Sequence, residues 1–384
     1  MSEFAPVADQ SVDIGLHAMR RVTGGAMENI LSATADRSPR LASNLVSHAF
    51  GSVIADAALS VGDREMETIA MLGALGGCEA QLRTHIGFAL DCGLSPEEVM
   101  ASAEHVSVYA GYPRALTMAR IVGQVITERG ASLLPAYPFV LRDHTTTVFD
   151  SGGDRPPMVL LHALGLDWRM WSSVIPQLVP HHRVIALDLR GFGAAAGSPQ
   201  VTDLAHYATD IADLLERLGI GQAHVTGLSL GGTIALELGL QRPDLVSGLT
   251  VIAATAWSFP AFEERAQAAE SDGLEAQIVP SLTRWFRPSD LARNDWPTRY
   301  ARNCVRAASI DGWCAAWRVL ANLSLDARLA SLDAPVSIIA GELDQSTPPE
   351  LMRLLASRIT IIPDAPHIIA LTHPLALAKA ILAG

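Results

Sequence analysis

Three residues in the second half of this 384-residue chain have types and spacing suited to acyl chemistry. The run HVTGLSLGGTIALELG, residues 224 to 239, reads as a short strand, a tight turn and a helix, and Gly227-Leu228-Ser229-Leu230-Gly231 fits a G-x-S-x-G elbow. In such an elbow the serine hydroxyl projects, and small flanking residues let the helix approach the strand closely. A serine hydroxyl is a poor nucleophile at neutral pH. An imidazole must take its proton, and a carboxylate must hold that imidazole in the right tautomer. Asp344 follows the apolar run VSIIAG, and His367 follows TIIP, so both fall at the carboxyl ends of expected strands. In an open parallel sheet functional groups collect at those ends, and the order Ser229, Asp344, His367 suits that architecture. The bland alternatives are a turn aspartate before Pro348 and a histidine capping the next helix. Asp364 and His373 compete close by, but His373 falls inside or at the end of that helix, with Pro374 after it.

The chemistry also needs two backbone N–H groups aimed at the developing oxyanion. One is expected from Leu230, after the serine, and the other from Leu164 in LLHALGLDWRMW, after an early strand. Such a site attacks an ester, thioester or lactone. Relatives of this architecture that cleave carbon–halogen or epoxide bonds commonly carry aspartate at the elbow, so Ser229 argues against them. A helical insertion at about residues 257–328 is expected to form a lid. It carries Arg284, Arg287, Arg293, Arg299, Arg302 and Arg306 in one stretch, with Asp290 and Asp295 among them. A cationic lid suggests an anionic substrate, because guanidinium groups bind carboxylates bidentately; the alternative is a solvated helix face.

The elements that must position these residues fall into two parts. Residues 1–132 carry helical periodicity almost throughout and predict an all-α domain. LSPEEVMASAEHVSVYAG starts with Ser95 as N-cap, Pro96 at the first helical position, and Glu97 and Glu98 where the helix dipole favours negative charge. The texture changes in RGASLLPAYPFVLRD, read as the junction. From 139 to 384, the runs PMVLLHA, HRVIALDL, AHVTGL, LTVIAA and VSIIAG predict an α/β domain with a parallel sheet buried on both faces. The formal charge of -12 disfavours nucleic acid as a partner. The opening MSEFAPVADQ has no pattern of a secretion signal, and no apolar run of about 18 residues predicts a membrane span. Cys78, Cys92, Cys304 and Cys314 are too few for a disulfide framework in so long a chain, which points to a reducing cytoplasm.

Residues 139–384 resemble the α/β-hydrolase family and, within it, the 3-oxoadipate enol-lactonases, through HALGLDWRMW, LDLRGFGAA, GLSLGG, RWF in the lid and GELDQSTPP. The resemblance implies a Ser229, Asp344, His367 triad and brings Arg284 and Trp285 of RWF to the substrate. Ala196-Gly197 replaces the usual polar residue after RGFG, and the lid matches poorly outside RWF.

Most of residues 15–128 resemble the carboxymuconolactone decarboxylase family, through a histidine before GFALDCGLSPEEV and then VYAGYPRAL. Relatives that reduce disulfides carry C-x-x-C before that histidine. Here Cys78 holds the first place and Gln81 the second, so a redox pair cannot form. The substrate of the decarboxylases carries its carboxylate vinylogous to a lactone carbonyl, so losing carbon dioxide leaves a dienolate stabilised by that carbonyl. No cofactor is then required, only hydrogen-bond donors and an acid. His85 is the candidate for the proton transfer and Arg64 for a carboxylate anchor, with Cys78 and His105 as further candidates near the substrate. Relatives usually have a carboxylate where Gln81 stands.

Together the resemblances imply consecutive steps, decarboxylation of 4-carboxymuconolactone and hydrolysis of 3-oxoadipate enol-lactone, on a small anionic lactone without cofactor or metal. They also imply a homo-oligomer, a trimer or hexamer built through the helical domain. The alternatives are a related carboxylated lactone of a biosynthetic pathway, a helical half that only assembles oligomers, and a binding module that holds a ligand without catalysis.

Overall fold

The computed structural model describes residues 10–23, 27–56, 58–129, 133–356 and 359–384. The opening residues read for a secretion signal, 1–9, lie outside the described residues, as do 130–132 of the expected junction. The chain divides into two compact units, Met1–Leu133 and Leu134–Gly384.

The first unit is helical: α1 (Gln10–Thr23), α2 (Met27–Ala35), α3 (Pro39–Asn44), a π-helical stretch Leu45–Ile54, α4 (Val61–Leu75), α5 (Glu79–Asp91), α6 (Pro96–Ala110) and α7 (Tyr112–Glu128). Local chemistry fixes where two of these begin. Ser60 accepts a hydrogen bond from the Asp63 N–H and Ser95 from the Glu98 N–H, while each acidic side chain accepts from the cap residue's own N–H. Each box satisfies N–H groups that a helix start leaves unpaired, and helix propensity alone would not place the boundary so sharply. Ile69, Leu82, Ile86, Val99, Met118 and Val122 from α4 to α7 form the core.

The second unit is an eight-stranded sheet with the order β1-β2-β4-β3-β5-β6-β7-β8. Its strands are β1 (Ala136–Val140), β2 (Thr145–Asp150), β3 (Pro157–Leu161), β4 (Arg183–Leu187), β5 (Ala223–Leu228), β6 (Val246–Ile252), β7 (Val336–Gly341) and β8 (Thr360–Ile362). From β4 to β8 all neighbours are parallel, but β1 pairs antiparallel with β2 and β2 with β4. The sheet is therefore mixed, not purely parallel, and AYPFV in the expected junction is one of its two edge strands. Pro138 is tolerated there because an edge leaves one row of N–H positions without a ladder partner.

Central strands are apolar on both faces, with Val159, Leu160, Leu161, Val225 and Leu249 fully buried, as expected of strands covered by helices on each side. The covering helices are α8 (Ile175–Leu178), α9 (Leu204–Arg217) and α10 (Leu230–Gln241). Between β6 and β7 the chain leaves the sheet to build the lid: α11 (Pro260–Trp285), α12 (Pro288–Arg293), α13 (Trp296–Ala307) and α14 (Ile310–Ala321). Helix α11 is broken at Gly273, whose φ of 77° and ψ of 170° are not helical. No helix among the described residues is long and apolar enough to cross a membrane.

Candidate active site

Strand β5 ends at Leu228 and α10 begins at Leu230, which leaves Ser229 alone to turn the chain, with φ 56° and ψ −118°. A non-glycine residue in that region is strained, and such strain persists only where the surroundings enforce it. Here they do. A Cβ on Gly231 would lie 2.2 Å from the Leu161 carbonyl oxygen, so only glycine lets the start of α10 press against β3. The Gly232 and Thr233 N–H groups both donate to the Ser229 carbonyl, locking the turn into the helix.

Asp344 and His367 stand where the strand ends place them, beyond β7 and β8, and both are buried. His367 Nδ1 lies 2.8 Å from Asp344 Oδ2. The same carboxylate accepts from the Thr347 hydroxyl at 2.7 Å, the Thr347 N–H at 3.0 Å and the Ser346 N–H at 2.7 Å. Burial alone would raise the Asp344 pKa, but the charge and hydrogen bond of His367, with the donors of Thr347, hold it below the usual carboxylate range. An ionised Asp344 accepts only, so Nδ1 carries a proton, and in the neutral ring this tautomer leaves Nε2 as the acceptor. Nε2 and the Ser229 hydroxyl have no hydrogen-bond partner among the described residues, although both residues line one cleft. Such bonds are commonly long before substrate binds.

That cleft, with about 520 Å³ of unoccupied space, part of it open to solvent, is lined by Leu164, Ser229, Leu230, Arg265, Arg284, Trp285 and His367, among others. Leu230 is the first residue of α10, where an N–H has no intrahelical acceptor. The loop bearing Leu164 is braced from below by His162: the Leu189 N–H donates to His162 Nε2 at 2.8 Å, and Nδ1 lies 2.8 Å from the Ala163 carbonyl. With Nε2 accepting, Nδ1 must donate. His162 is therefore neutral, as its burial, which pushes its pKa down to about 4, also requires.

The lid arginines divide sharply. Arg287 pairs with Asp290 and Asp364, Arg293 with Asp290 and Asp295, and Arg306 with Glu275. These belong to lid architecture, and two of the carboxylates come from outside the arginine-rich stretch. Arg299 and Arg302 bond to Asn294. Arg284 alone of the six lines the cleft, beside Trp285 and beside Arg265, which sequence reasoning missed. Asp364 is engaged with Arg287, and His373 caps the last helix, Pro374–Ala383, with its ring on Thr372. Neither competitor joins the cleft.

Residues 156–374 match the family model for the alpha/beta hydrolase fold. The chain belongs to this family. The α/β-hydrolase unit is similar to 3-oxoadipate enol-lactonase 1 of Acinetobacter baylyi, 32% identical over 194 residues, which cover 50% of this chain and 73% of that protein. It is also similar to the pimeloyl-[acyl-carrier protein] methyl ester esterase of Pseudoalteromonas atlantica, 29% identical over 60% of this chain and 94% of that one. The crystal structure of the enol-lactonase from Burkholderia xenovorans superposes with a TM-score of 0.60 at 24% identity, covering 64% of this chain and 98% of that one. In the helical unit of this α/β hydrolase, residues 39–124 match the carboxymuconolactone decarboxylase family.

In that helical unit His85, on α5, sets Nδ1 2.8 Å from the carboxylate of Glu65 on α4, and Glu65 is buried. The sequence reading passed over Glu65. Its one signal was a charged residue at an apolar-facing position four before Ile69, which is also buried. Arg64, next along, turns elsewhere and donates to the Asp56 carbonyl at 2.9 Å. Cys78 caps the start of α5, its thiol 3.3 Å from the Leu72 carbonyl. His105 is exposed and packs on Tyr109, and Gln81 is exposed. The structure thus joins His85 to Glu65 and to neither Arg64 nor His105.

Proposed function

We propose that this chain decarboxylates 4-carboxymuconolactone in its helical unit and hydrolyses the resulting 3-oxoadipate enol-lactone at Ser229. The observation that carries the reading is the union, in one polypeptide, of a carboxymuconolactone decarboxylase segment with an α/β hydrolase similar to a 3-oxoadipate enol-lactonase. An unstable lactone made by one is what the other cleaves.

In the first step the carbon–carboxylate bond breaks, carbon dioxide leaves, and the electron pair passes into a dienolate ending on the lactone carbonyl oxygen. His85, its ring held by Glu65, delivers the proton to the far carbon. In the second step Ser229 Oγ attacks the lactone carbonyl as His367 Nε2 takes its proton. The oxyanion accepts hydrogen bonds from the Leu164 and Leu230 N–H groups. Collapse breaks the ring C–O bond, His367 returns the proton to the leaving enol oxygen, and water hydrolyses the acyl-enzyme by the same path to give 3-oxoadipate. No cofactor or metal takes part in either step.

The lid favours this substrate over a methyl ester without a free carboxylate, because Arg284 reaches the cleft without a carboxylate partner among the described residues. The helical unit exposes Val108, Tyr109, Tyr112 and Leu116, which supports a homo-oligomer assembled through it, and four free cysteines fit a reducing cytoplasm. Given 4-carboxymuconolactone, the protein should release carbon dioxide and then 3-oxoadipate, followed by mass spectrometry. Ser229→Ala should stop at the enol-lactone, and undiminished 3-oxoadipate from that variant would remove Ser229 from the mechanism.

A further inference from the structure

Among the arginines of the lid, Arg265 stands apart. Arg287, Arg293, Arg306 and Arg318 each meet an Asp or Glu within hydrogen-bonding distance. Arg265 has no hydrogen bond or ion pair among the described residues. Its guanidinium lies 4.8 Å from the centre of the Trp317 ring and 5.7 Å from that of Phe262. Trp317 and Phe262 are themselves stacked, with centroids 5.5 Å apart. All three line the cleft that holds Ser229 and His367, and so does Arg284, whose hydrogen bonding is limited to the Ser281 hydroxyl at 3.2 Å.

Two half-buried cations therefore face one cleft, and among the described residues neither has a carboxylate within ion-pairing distance, although the charge of the neighbouring Glu264 acts on Arg265 and partly offsets its burial. Burial lowers the pKa of both, that of Arg284 to about 10, and the charge of Arg265 contributes to the shift at Arg284. Desolvating an unpaired charge is costly, and a like charge nearby adds to the cost. Each guanidinium presents five N–H donors in a fixed fork, and among the described residues the ten find one acceptor, the Ser281 hydroxyl. The approach to two aromatic ring faces holds the Arg265 guanidinium in the cleft before any ligand arrives, and its planar fork is one that a lysine does not reproduce. A carboxylate has two oxygens and accepts from two forks at once.

Building on the reading of this cleft as the substrate site, we propose that Arg265 and Arg284 grip a single ligand carboxylate between them. The hydrolase thereby selects acyl substrates that carry a free carboxylate on the portion lying under the lid. A neutral ester would leave both cations desolvated and unpaired, so selectivity arises as much from rejecting neutral ligands as from holding anionic ones.

Adipate, an unreactive dicarboxylate, tests the grip without any turnover. Calorimetric titration of the full chain should show adipate binding that weakens at least tenfold in Arg265→Met and at least tenfold in Arg284→Met. The double variant should be little weaker than the poorer single one, because partners sharing one carboxylate are coupled. Arg265→Lys, which keeps the charge but loses the planar fork, should recover only part of the affinity, and Arg265→Gln serves if the methionine variant does not fold. Wild-type affinity in the Arg265 variants, no adipate binding by the wild type, or strictly additive losses would each overturn the shared grip. Failure of the proposed function looks different: adipate binds with coupled losses, yet the enol-lactone is left intact.

Discussion

At the scale of single residues, His162 shows how a side chain outside the chemistry governs the loop that carries it. Its ring accepts from the Leu189 N–H and donates to the Ala163 carbonyl, so only the neutral form satisfies both partners. Burial lowers its pKa to about 4, opposed weakly by the Ala163 carbonyl and Asp167. In the unfolded chain the value is near 6.5, so between the two the unfolded state binds more protons, and stability falls as pH drops from about 6.5 towards 4. The full loss amounts to about 3 kcal/mol. Urea midpoints measured across this range should fall in the wild type, and the fall should be shallower in His162→Gln, which is less stable throughout. Parallel slopes would assign the acid sensitivity to other groups. His162 was adjacent to legible signals and still escaped notice, because its role lies in a backbone contact with Leu189, at the end of the neighbouring strand. Asp344 and His367 were legible because strand ends can be counted from apolar runs. Glu65 and Arg265 were not, since each takes its meaning from a partner on another helix, His85 in one case and Trp317 in the other.

At the scale of elements, the lid is tied to the loop bearing Leu164 through one buried carboxylate. Asp167, at the end of that loop, accepts from Arg169 at 2.6 Å and from the Tyr300 hydroxyl at 2.9 Å, and the Cys304 thiol stands 3.5 Å away. Tyr300 and Cys304 lie one turn apart on α13. Two residues earlier Gly165, at φ 80°, leaves room for Trp313 of α14, which a Cβ would meet at 2.5 Å. The loop bearing Leu164 thus meets α13 through Asp167 and α14 through Gly165, contacts through which the lid can set the direction of its amide. Tyr300→Phe removes a hydrogen bond to a charged group in a buried site and should cost roughly 1.5–3 kcal/mol. It should also lower kcat on the lactone, through the Leu164 amide, more than it alters KM. Chemical denaturation and steady-state kinetics read the two effects, and a stability loss with unchanged kcat would mean that the lid does not steer the loop. The lid's helices and basic character were legible from composition. Its ion pairs were not, because Glu275 and Asp364, the partners of Arg306 and Arg287, come from other segments, and only tertiary packing decides which arginine is left for the cleft.

At the scale of the whole molecule, the two larger hydrophobic cores among the described residues are built from separate stretches of chain, and a small third cluster of Ala18, Met19 and Phe50 lies in the helical unit. One gathers Ile69 to Ile126 of the helical unit, and the other gathers Leu141 to Ile381 around the sheet. A cut at residue 134 passes between them, so neither loses a buried side chain. The hydrolase unit, about 250 residues, is well within the size at which one core supports a stable fold. The fragment 134–384 should therefore unfold cooperatively and open 3-oxoadipate enol-lactone at a rate close to that of the full chain. It should release no carbon dioxide from 4-carboxymuconolactone. The reciprocal variant is His85→Gln in the full chain: carbon dioxide release should collapse while supplied enol-lactone is still opened, since the described residues that line the Ser229 cleft all belong to the second unit and His85 to the first. A folded fragment without lactonase activity would show that the hydrolase site needs the helical unit for more than delivery of its substrate. Carbon dioxide released at the wild-type rate by His85→Gln would move the decarboxylation away from the Glu65–His85 pair altogether. The two measurements are independent, because one removes a domain and the other a single imidazole, and together they separate a chain of two working enzymes from a hydrolase carrying a helical platform.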